Sequence, residues 1–563
     1  DKTGTLTRNE MTVKLVYDGS FFYEVEGTGY EPSGAILHDG IHVNIKEYPL
    51  MLQTLRIGLL CNESEVYKED GDYKVGGDPT EAALIVSAEK SGLNSAEQKR
   101  RFPQIAIIPF ESERGYMATL HEHEGKKLIF VKGAPERVLE MCSGSIAGTF
   151  RKEEILDAAR DVAGEGLRVL AMACKETSPE ADSLSHHDIS ELAFAGLQGM
   201  IDPPRQEAIE AVEGCRRAGI RVIMITGDHG VTAKAIAGKM GIGVADPEVV
   251  TGRELEIMSD EGLYQKVNAT SVYARVSPQH KLRITEQLKR HGHIVAMTGD
   301  GVNDAPALKS AHIGVAMGKS GTDVAKEASD MVLTDDNFAG IFAAVKEGRI
   351  VFDNLRKVIF FLIPTGIAAI LSIAGAMILG VPIPYVPAQL LWINLVTNGL
   401  QDVALAFEPG EKGVIERPPR DPKEPIMSRI LIERTAIVSV LIAAGILYNF
   451  ITALDAGESL EKARSVAVTT MVFFQFFQAW NSRSEIQSVF RMNPLGNPFL
   501  FYSMVAAFFA QLAVLYVPAF QWVFRTEPIE ISEWVRILAV SAAVVIVVEL
   551  DKWIRNRKRT SPG

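Results

Sequence analysis

The hydrophobic and polar positions divide the chain near residue 350. Up to that point charges are dense and Gly and Pro recur at turn spacing; beyond it apolar runs dominate. Between Val358 and Gln401 there is no charged side chain, a run more than twice the roughly 20 residues that one helical span needs. Pro382, Pro384 and Pro387 sit where a hairpin would turn. The pattern predicts two helices, at about 357–380 and 387–407, and further charge-poor runs predict spans at about 431–454, 465–482, 498–518 and 533–554. The last is the weakest, because its uncharged core is only Ile537–Val548. The expected architecture of 351–556 is therefore an all-α transmembrane bundle of six helices. Loop charges orient it. Lys412, Arg417, Arg420, Lys423 and Arg429, then Arg483 and Arg491, then Lys552, Arg555, Arg557, Lys558 and Arg559 lie on the side of the large N-terminal half, while 455–464 and 525–532 are acidic or mixed. Basic loops stay cytoplasmic, so a multi-pass integral membrane protein with cytoplasmic soluble domains and C-terminus is expected.

In the polar half two segments repeat one pattern. Ile220–Thr226 is an apolar run ending in Gly227-Asp228, and His293–Thr298 ends in Gly299-Asp300-Gly301. Each reads as a buried parallel strand leading through a turn into a helix, Ala233–Met240 and Ala305–Ser310, and Ile313–Met317 reads as another strand. The fold class is doubly wound α/β, in which ligands bind beyond the carboxyl ends of the strands. Asp228, Asp300 and Asp304 would converge there, and Asp1-Lys2-Thr3-Gly4-Thr5 belongs at the same edge if a strand precedes it.

Composition narrows the function. A net charge of -12 over 563 residues argues against a nucleic-acid binder, which would carry a basic face. Cys61, Cys142, Cys174 and Cys215 have no paired spacing, so they read as reduced thiols and not as a zinc knuckle or disulfide framework. The chain opens on Asp1 without an initiator Met, and so reads as a fragment.

Acidic residues at strand ends suit Mg²⁺, a hard cation that takes oxygen ligands and substrate phosphate. An Asp carboxylate facing such an ion can attack a phosphoryl group and become an aspartyl phosphate. Lys281 could supply positive charge against the developing oxygens. Either Gly-Asp segment alone is more simply a turn; two repeats at strand ends, together with the opening pentapeptide, are not.

These residues carry a resemblance. Asp1–Thr7 (DKTGTLT), Lys132–Glu136 (KGAPE), Thr226–Asp228 (TGD) and Thr298–Pro306 (TGDGVNDAP) resemble the signatures of the P-type ATPases, in the same order, over nearly the whole chain. The resemblance implies a haloacid dehalogenase-like phosphorylation domain at 1–16 and 196–350, with an inserted α+β nucleotide-binding domain at 17–195. It implies that ATP phosphorylates Asp1, that Thr3 and Asp300 hold Mg²⁺ with Asp1, and that Lys2, Thr226, Gly227, Asp228 and Lys281 serve the phosphoryl group, supported by Asn303 and Asp304. Phe110 would stack on adenine, with Glu81, Arg114, Lys132, Gly133 and Arg168 lining the nucleotide site. Ser112 and Gly115 stand where the calcium-pump branch has a second basic pair. The resemblance further implies that an actuator domain and four earlier spans, absent from this chain, complete the pump, and that the fragment alone does not transport.

Glu416–Pro425 and Gln389–Asn398 look like the calcium and sodium/potassium branch. Polar side chains inside a bilayer are costly and so are functional candidates. Asn394, Asn398 and Asp402 recur every four residues, with Thr397 adjacent and Gln475 on a later span. They are the expected ligands of the transported ion, and Gly399 could unwind the helix to free carbonyls. Gly366, Ala369, Asn398 and Gln475 replace polar or acidic residues of the calcium branch, leaving Asp402 as the carboxylate of this helix. A single divalent cation, a monovalent ion or a proton all fit. The alternatives are a membrane-anchored aspartyl-phosphate hydrolase, a lipid flippase of the same superfamily and a non-enzymatic scaffold.

Overall fold

The computed structural model describes residues 2, 5–7, 10–69, 71–111, 113–243 and 247–560. Asp1, Thr3 and Ser112 lie outside the described residues, as does the side chain of Thr397. The chain divides into two compact units, Asp1–Phe342 and Ala343–Gly563.

The first unit contains a ten-stranded, largely antiparallel sheet. Its centre is Leu192–Ile201, flanked by Thr12–Tyr17 and Arg168–Thr177. The two chain crossings expected near 16 and 195 therefore run as paired neighbouring strands. Alternation along the strands sends apolar side chains to both faces. On one face Phe130 packs with Met51, Leu55, Leu59 and Leu84 from the helices Pro49–Leu60 and Pro79–Lys90; on the other Val131 and Phe194 pack with Val138, Leu139 and, from Lys152–Gly164, Ile155.

The same unit holds two three-stranded parallel sheets. Met224–Thr226, Val272–Ala274 and Val249–Thr251 form one, with Val272–Ala274 in the middle; Ala296–Gly299, Ile313–Met317 and Met331–Leu333 form the other. The repeated apolar runs thus become parallel strands followed by the helices Gly230–Met240 and Ala305–Ser310. The strands are shorter than their apolar runs. They also lie in two sheets, because Met224–Thr226 and Ala296–Gly299 are both outer strands and do not pair with each other.

In the second unit four helices are long and apolar enough to cross a membrane among the described residues: Ala339–Leu379, Arg429–Asp455, Pro498–Tyr516 and Ile531–Arg555. Leu460–Ser482 is helical too, but more polar, and is buried along most of its length against Arg429–Asp455 and Ile531–Thr560. The remaining expected span is broken: Pro387–Trp392 is α-helix, Ile393–Asn398 is π-helix and Gly399–Ala406 is α-helix again.

Candidate functional site

Lys2 is buried, with its ammonium 2.8 Å from an Asp228 oxygen and 3.7 Å from Asp202. Asp202 also accepts the Thr7 hydroxyl at 2.5 Å and the Glu10 amide at 3.3 Å. Arg205 completes the clamp, donating its amide to Leu6 O and its Nε to Thr7 O. The segment after strand Leu192–Ile201 therefore holds Lys2, Leu6, Thr7 and Glu10. Thr226 is buried at its strand end and accepts the Asp228 amide at 3.1 Å, while Gly227 is exposed beside it.

A second cluster follows strand Ala296–Gly299. Lys281, on the helix Pro278–Arg290, sits 2.8 Å from Asp304 Oδ1, and both are buried. Asp304 Oδ2 accepts the amides of Asp300 and Gly301, each at 3.3 Å. A Cβ on Gly299 would come within 2.6 Å of Asp304 Cβ, so this approach of carboxylate to strand end requires glycine. Asn303 is exposed. The Asp300 carboxyl is raised above its usual range, first by burial and then by the Asp304 charge. Among the described residues no three acidic, histidine or cysteine side chains form a metal-holding group; Asp300, at the strand end while Lys281 pairs with Asp304, supplies one oxygen donor of the kind a hard divalent cation such as Mg²⁺ takes.

Of the expected nucleotide residues, Glu81 and Lys132 form an ion pair, and Arg168 is tied to the helix that carries Glu81. Glu81 Oε1 lies 2.6 Å from the buried Lys132 ammonium, and Glu81 Oε2 accepts the Glu63 amide and the Ser64 hydroxyl. Asp78 caps this helix through the amides of Thr80 and Glu81, and Arg168 reaches the Thr80 hydroxyl at 3.3 Å. Phe110 is 50% exposed. Arg114 is held by Glu111 at 2.6 Å. A Cβ on Gly133 would stand 2.5 Å from Gly115 O, which explains glycine there. Nearby, burial pushes the Cys61 thiol up to about 11, which suits an inert core thiol.

In the second unit the π-turn changes which residues share a face. Asn398 is buried and donates to Asn394 Oδ1 at 3.4 Å, but Asn394 is exposed and Asp402 is only partly buried, with Oδ1 turned back to the Val403 amide at 2.6 Å. Strict four-residue spacing assumes 3.6 residues per turn, and a π-turn breaks it. The buried position is Gln401, which is 0% exposed and whose amide N and O have no hydrogen-bond partner among the described residues. Asn398 Oδ1 is likewise buried without one. Gln475 is fully buried on Leu460–Ser482. Sequence reading passed over Gln401, although an amide in an apolar helix was signal enough. It also passed over Asp202, whose partners lie some two hundred residues away in sequence.

Three family descriptions match the chain: "P-type ATPase, cytoplasmic domain N" over 51–207, "haloacid dehalogenase-like hydrolase" over 281–345 and "Cation transporting ATPase, C-terminus" over 382–554. Among similar proteins, "Probable cation-transporting ATPase F" of Mycobacterium tuberculosis (strain ATCC 25618 / H37Rv) is 43% identical over 100% of this chain and 63% of its own length. "Calcium-transporting ATPase" of Bacillus subtilis (strain 168) is 40% identical over 96% of the chain and 62% of its own length. "Calcium-transporting ATPase type 2C member 1" of Homo sapiens is 37% identical, over 99% and 60%. The chain thus spans less than two thirds of these relatives.

Proposed function

We propose that this chain belongs to the P-type cation ATPases, whose descriptions match three of its stretches, and that it carries the ATP-hydrolysing and C-terminal membrane portions of a cation pump. Residues 1–16 and 196–350 form the phosphorylation domain, 17–195 the nucleotide-binding domain, and 351–556 the membrane domain. In the membrane domain the broken helix and Leu460–Ser482 join the four apolar helices as spans, with the soluble domains and C-terminus cytoplasmic. Support for this orientation comes from the basic loops.

An Asp1 carboxylate oxygen attacks the terminal phosphorus of ATP. The new O–P bond forms as the bond to the ADP oxygen breaks, and ADP leaves with the electron pair. Asp300, with Asp1 and Thr3, would hold Mg²⁺, whose charge would neutralise phosphate oxygens. Lys281 and Lys2 keep cationic charge beside the reacting group, and Thr226 and the Gly227 backbone complete its cradle. The observation that carries this reading is the Lys281–Asp304–Asp300 cluster at the end of a parallel strand. In the nucleotide site Lys132 leaves Glu81 for the nucleotide, and Phe110 stacks on the base. Asn394, Thr397, Asn398, Asp402 and Gln475 serve the transported ion, and buried Gln401 belongs with them. A set with one carboxylate suits a single divalent cation or a monovalent ion; calcium is the cargo in the names of two of the relatives.

The test is labelling of the native membrane-bound protein with ATP carrying a radioactive terminal phosphate, across Ca²⁺, Mn²⁺, Na⁺, K⁺ and pH. Acid-stable, hydroxylamine-labile label that one ion stimulates and Asp1→Asn abolishes is expected. Label that persists in Asp1→Asn would refute the nucleophile, and label indifferent to every ion would favour the hydrolase or flippase.

A further inference from the structure

Asp336 belongs to none of the motifs above, yet it accepts more backbone hydrogen bonds than the other acidic side chains near the candidate Mg²⁺ site. It follows the strand Met331–Leu333 in the left-handed region, at φ 57, with its own amide bonded to Leu333 O at 3.2 Å. Its carboxylate is buried, and it accepts the amides of Gly318 at 2.7 Å, Lys319 at 2.8 Å and Ser320 at 2.8 Å. Burial alone would raise this carboxyl, but the amides outweigh it and hold the group below its ordinary value. The negative charge is thus built into the loop that follows strand Ile313–Met317. The loop has no room for a side chain at its ends, since a Cβ on Gly318 would meet Leu333 O at 2.6 Å and one on Gly321 would collide with Met317 O.

The loop ends at Asp300. The Thr322 amide donates to Asp300 O at 2.8 Å, just before the helix Asp323–Ala328 that the Thr322 hydroxyl caps. On its other side the Asp300 amide is bonded to Asp304 Oδ2. The backbone of Asp300 is therefore gripped at both its N–H and its C=O, and those two bonds set the direction in which its carboxylate leaves the chain.

We propose that Asp336 is a positioning residue for Mg²⁺. Its carboxylate locks 318–320, the locked loop presents the Thr322 amide to Asp300, and Asp300 is thereby aimed at the metal. This rests on the reading that Asp300 holds Mg²⁺. Partners that orient a ligand without touching the ion commonly change metal affinity by about 10- to 100-fold when removed; one step further out, roughly tenfold is expected.

The probe is Mn²⁺ alone, titrated into the full chain in detergent and read by electron paramagnetic resonance, with the thermal midpoint measured in parallel. Asp300→Asn should abolish the tight Mn²⁺ site. Asp336→Asn, which has nearly the same shape but no charge, should weaken it roughly tenfold. Thr322→Pro should do the same, because at φ -68 proline fits and removes the N–H. Thr322→Ala, which loses only the cap, should bind as the parent does. If Asp300→Asn leaves Mn²⁺ binding intact, the Mg²⁺ reading itself fails. If Asp300→Asn abolishes binding while Asp336→Asn and Thr322→Pro keep the parent's affinity, whatever their midpoints do, Asp336 is a structural loop anchor and the proposal is overturned.

Discussion

At the scale of single residues, the first unit is held by buried charges whose partners are fixed. Lys281 and Asp304 are the clearest case: both are buried, and their contact is 2.8 Å. Breaking a buried pair from one side leaves an uncompensated charge and typically costs about 3–5 kcal/mol, whereas replacing both partners is often close to neutral. Lys281→Met should therefore destabilise the first unit by roughly that amount, and the double change Lys281→Met with Asp304→Asn should recover much of it. Chemical denaturation followed through thiol accessibility measures this, and additive losses would show the pair to be uncoupled. Sequence reading names both residues, Asp304 within the Thr298–Pro306 signature. It could not find their pairing, nor Asp202 holding Lys2 and Thr7, nor Glu81 neutralising Lys132. Those are contacts across long stretches of chain, and only the folded backbone brings them together.

At the scale of elements, the apolar runs predicted the parallel strands Met224–Thr226, Ala296–Gly299 and Ile313–Met317, since burial of both faces of a parallel strand leaves a continuous hydrophobic signature; the strands of the ten-stranded sheet, which alternate, were not read from such runs. The runs did not predict the π-turn Ile393–Asn398, because no periodicity argument built on 3.6 residues per turn contains it. The consequence is the exchange of Asp402 for Gln401 on the buried face. A buried amide without partners is unfavourable by about 1–3 kcal/mol. Gln401→Leu should accordingly raise the thermal midpoint of the helical unit while weakening activation by the transported ion. Tryptophan emission reads the first effect and ion titration of phosphoenzyme formation the second. The opposite signs are the point. A general packing defect would lower the midpoint, and a side chain irrelevant to the ion would leave the titration unchanged.

At the scale of the whole molecule, the sequence happens to label the two units differently. All four cysteines, Cys61, Cys142, Cys174 and Cys215, lie in the first unit, and Cys61 and Cys215 are buried. All five tryptophans, Trp392, Trp480, Trp522, Trp534 and Trp553, lie in the second. A thiol-reactive dye thus follows unfolding of the first unit, and tryptophan emission follows the second, in one sample of the full chain. Each unit has its own hydrophobic clusters, around Leu55, Phe130 and Phe194 in the first and around Ile442, Phe450 and Phe474 in the second, so each has its own driving force to fold. A ligand that binds only the folded first unit at a hundred times its Kd adds about 2.7 kcal/mol to that unit's stability. Spread over an unfolding entropy of about 2.1 cal/mol/K per residue, this is a rise of roughly 4 °C in its midpoint. MgATP should therefore shift the thiol transition by that amount and leave the tryptophan transition where it was. A shift of both together would mean that the units unfold as one, and no thiol shift at saturating MgATP would remove the nucleotide site built on Glu81, Phe110 and Lys132.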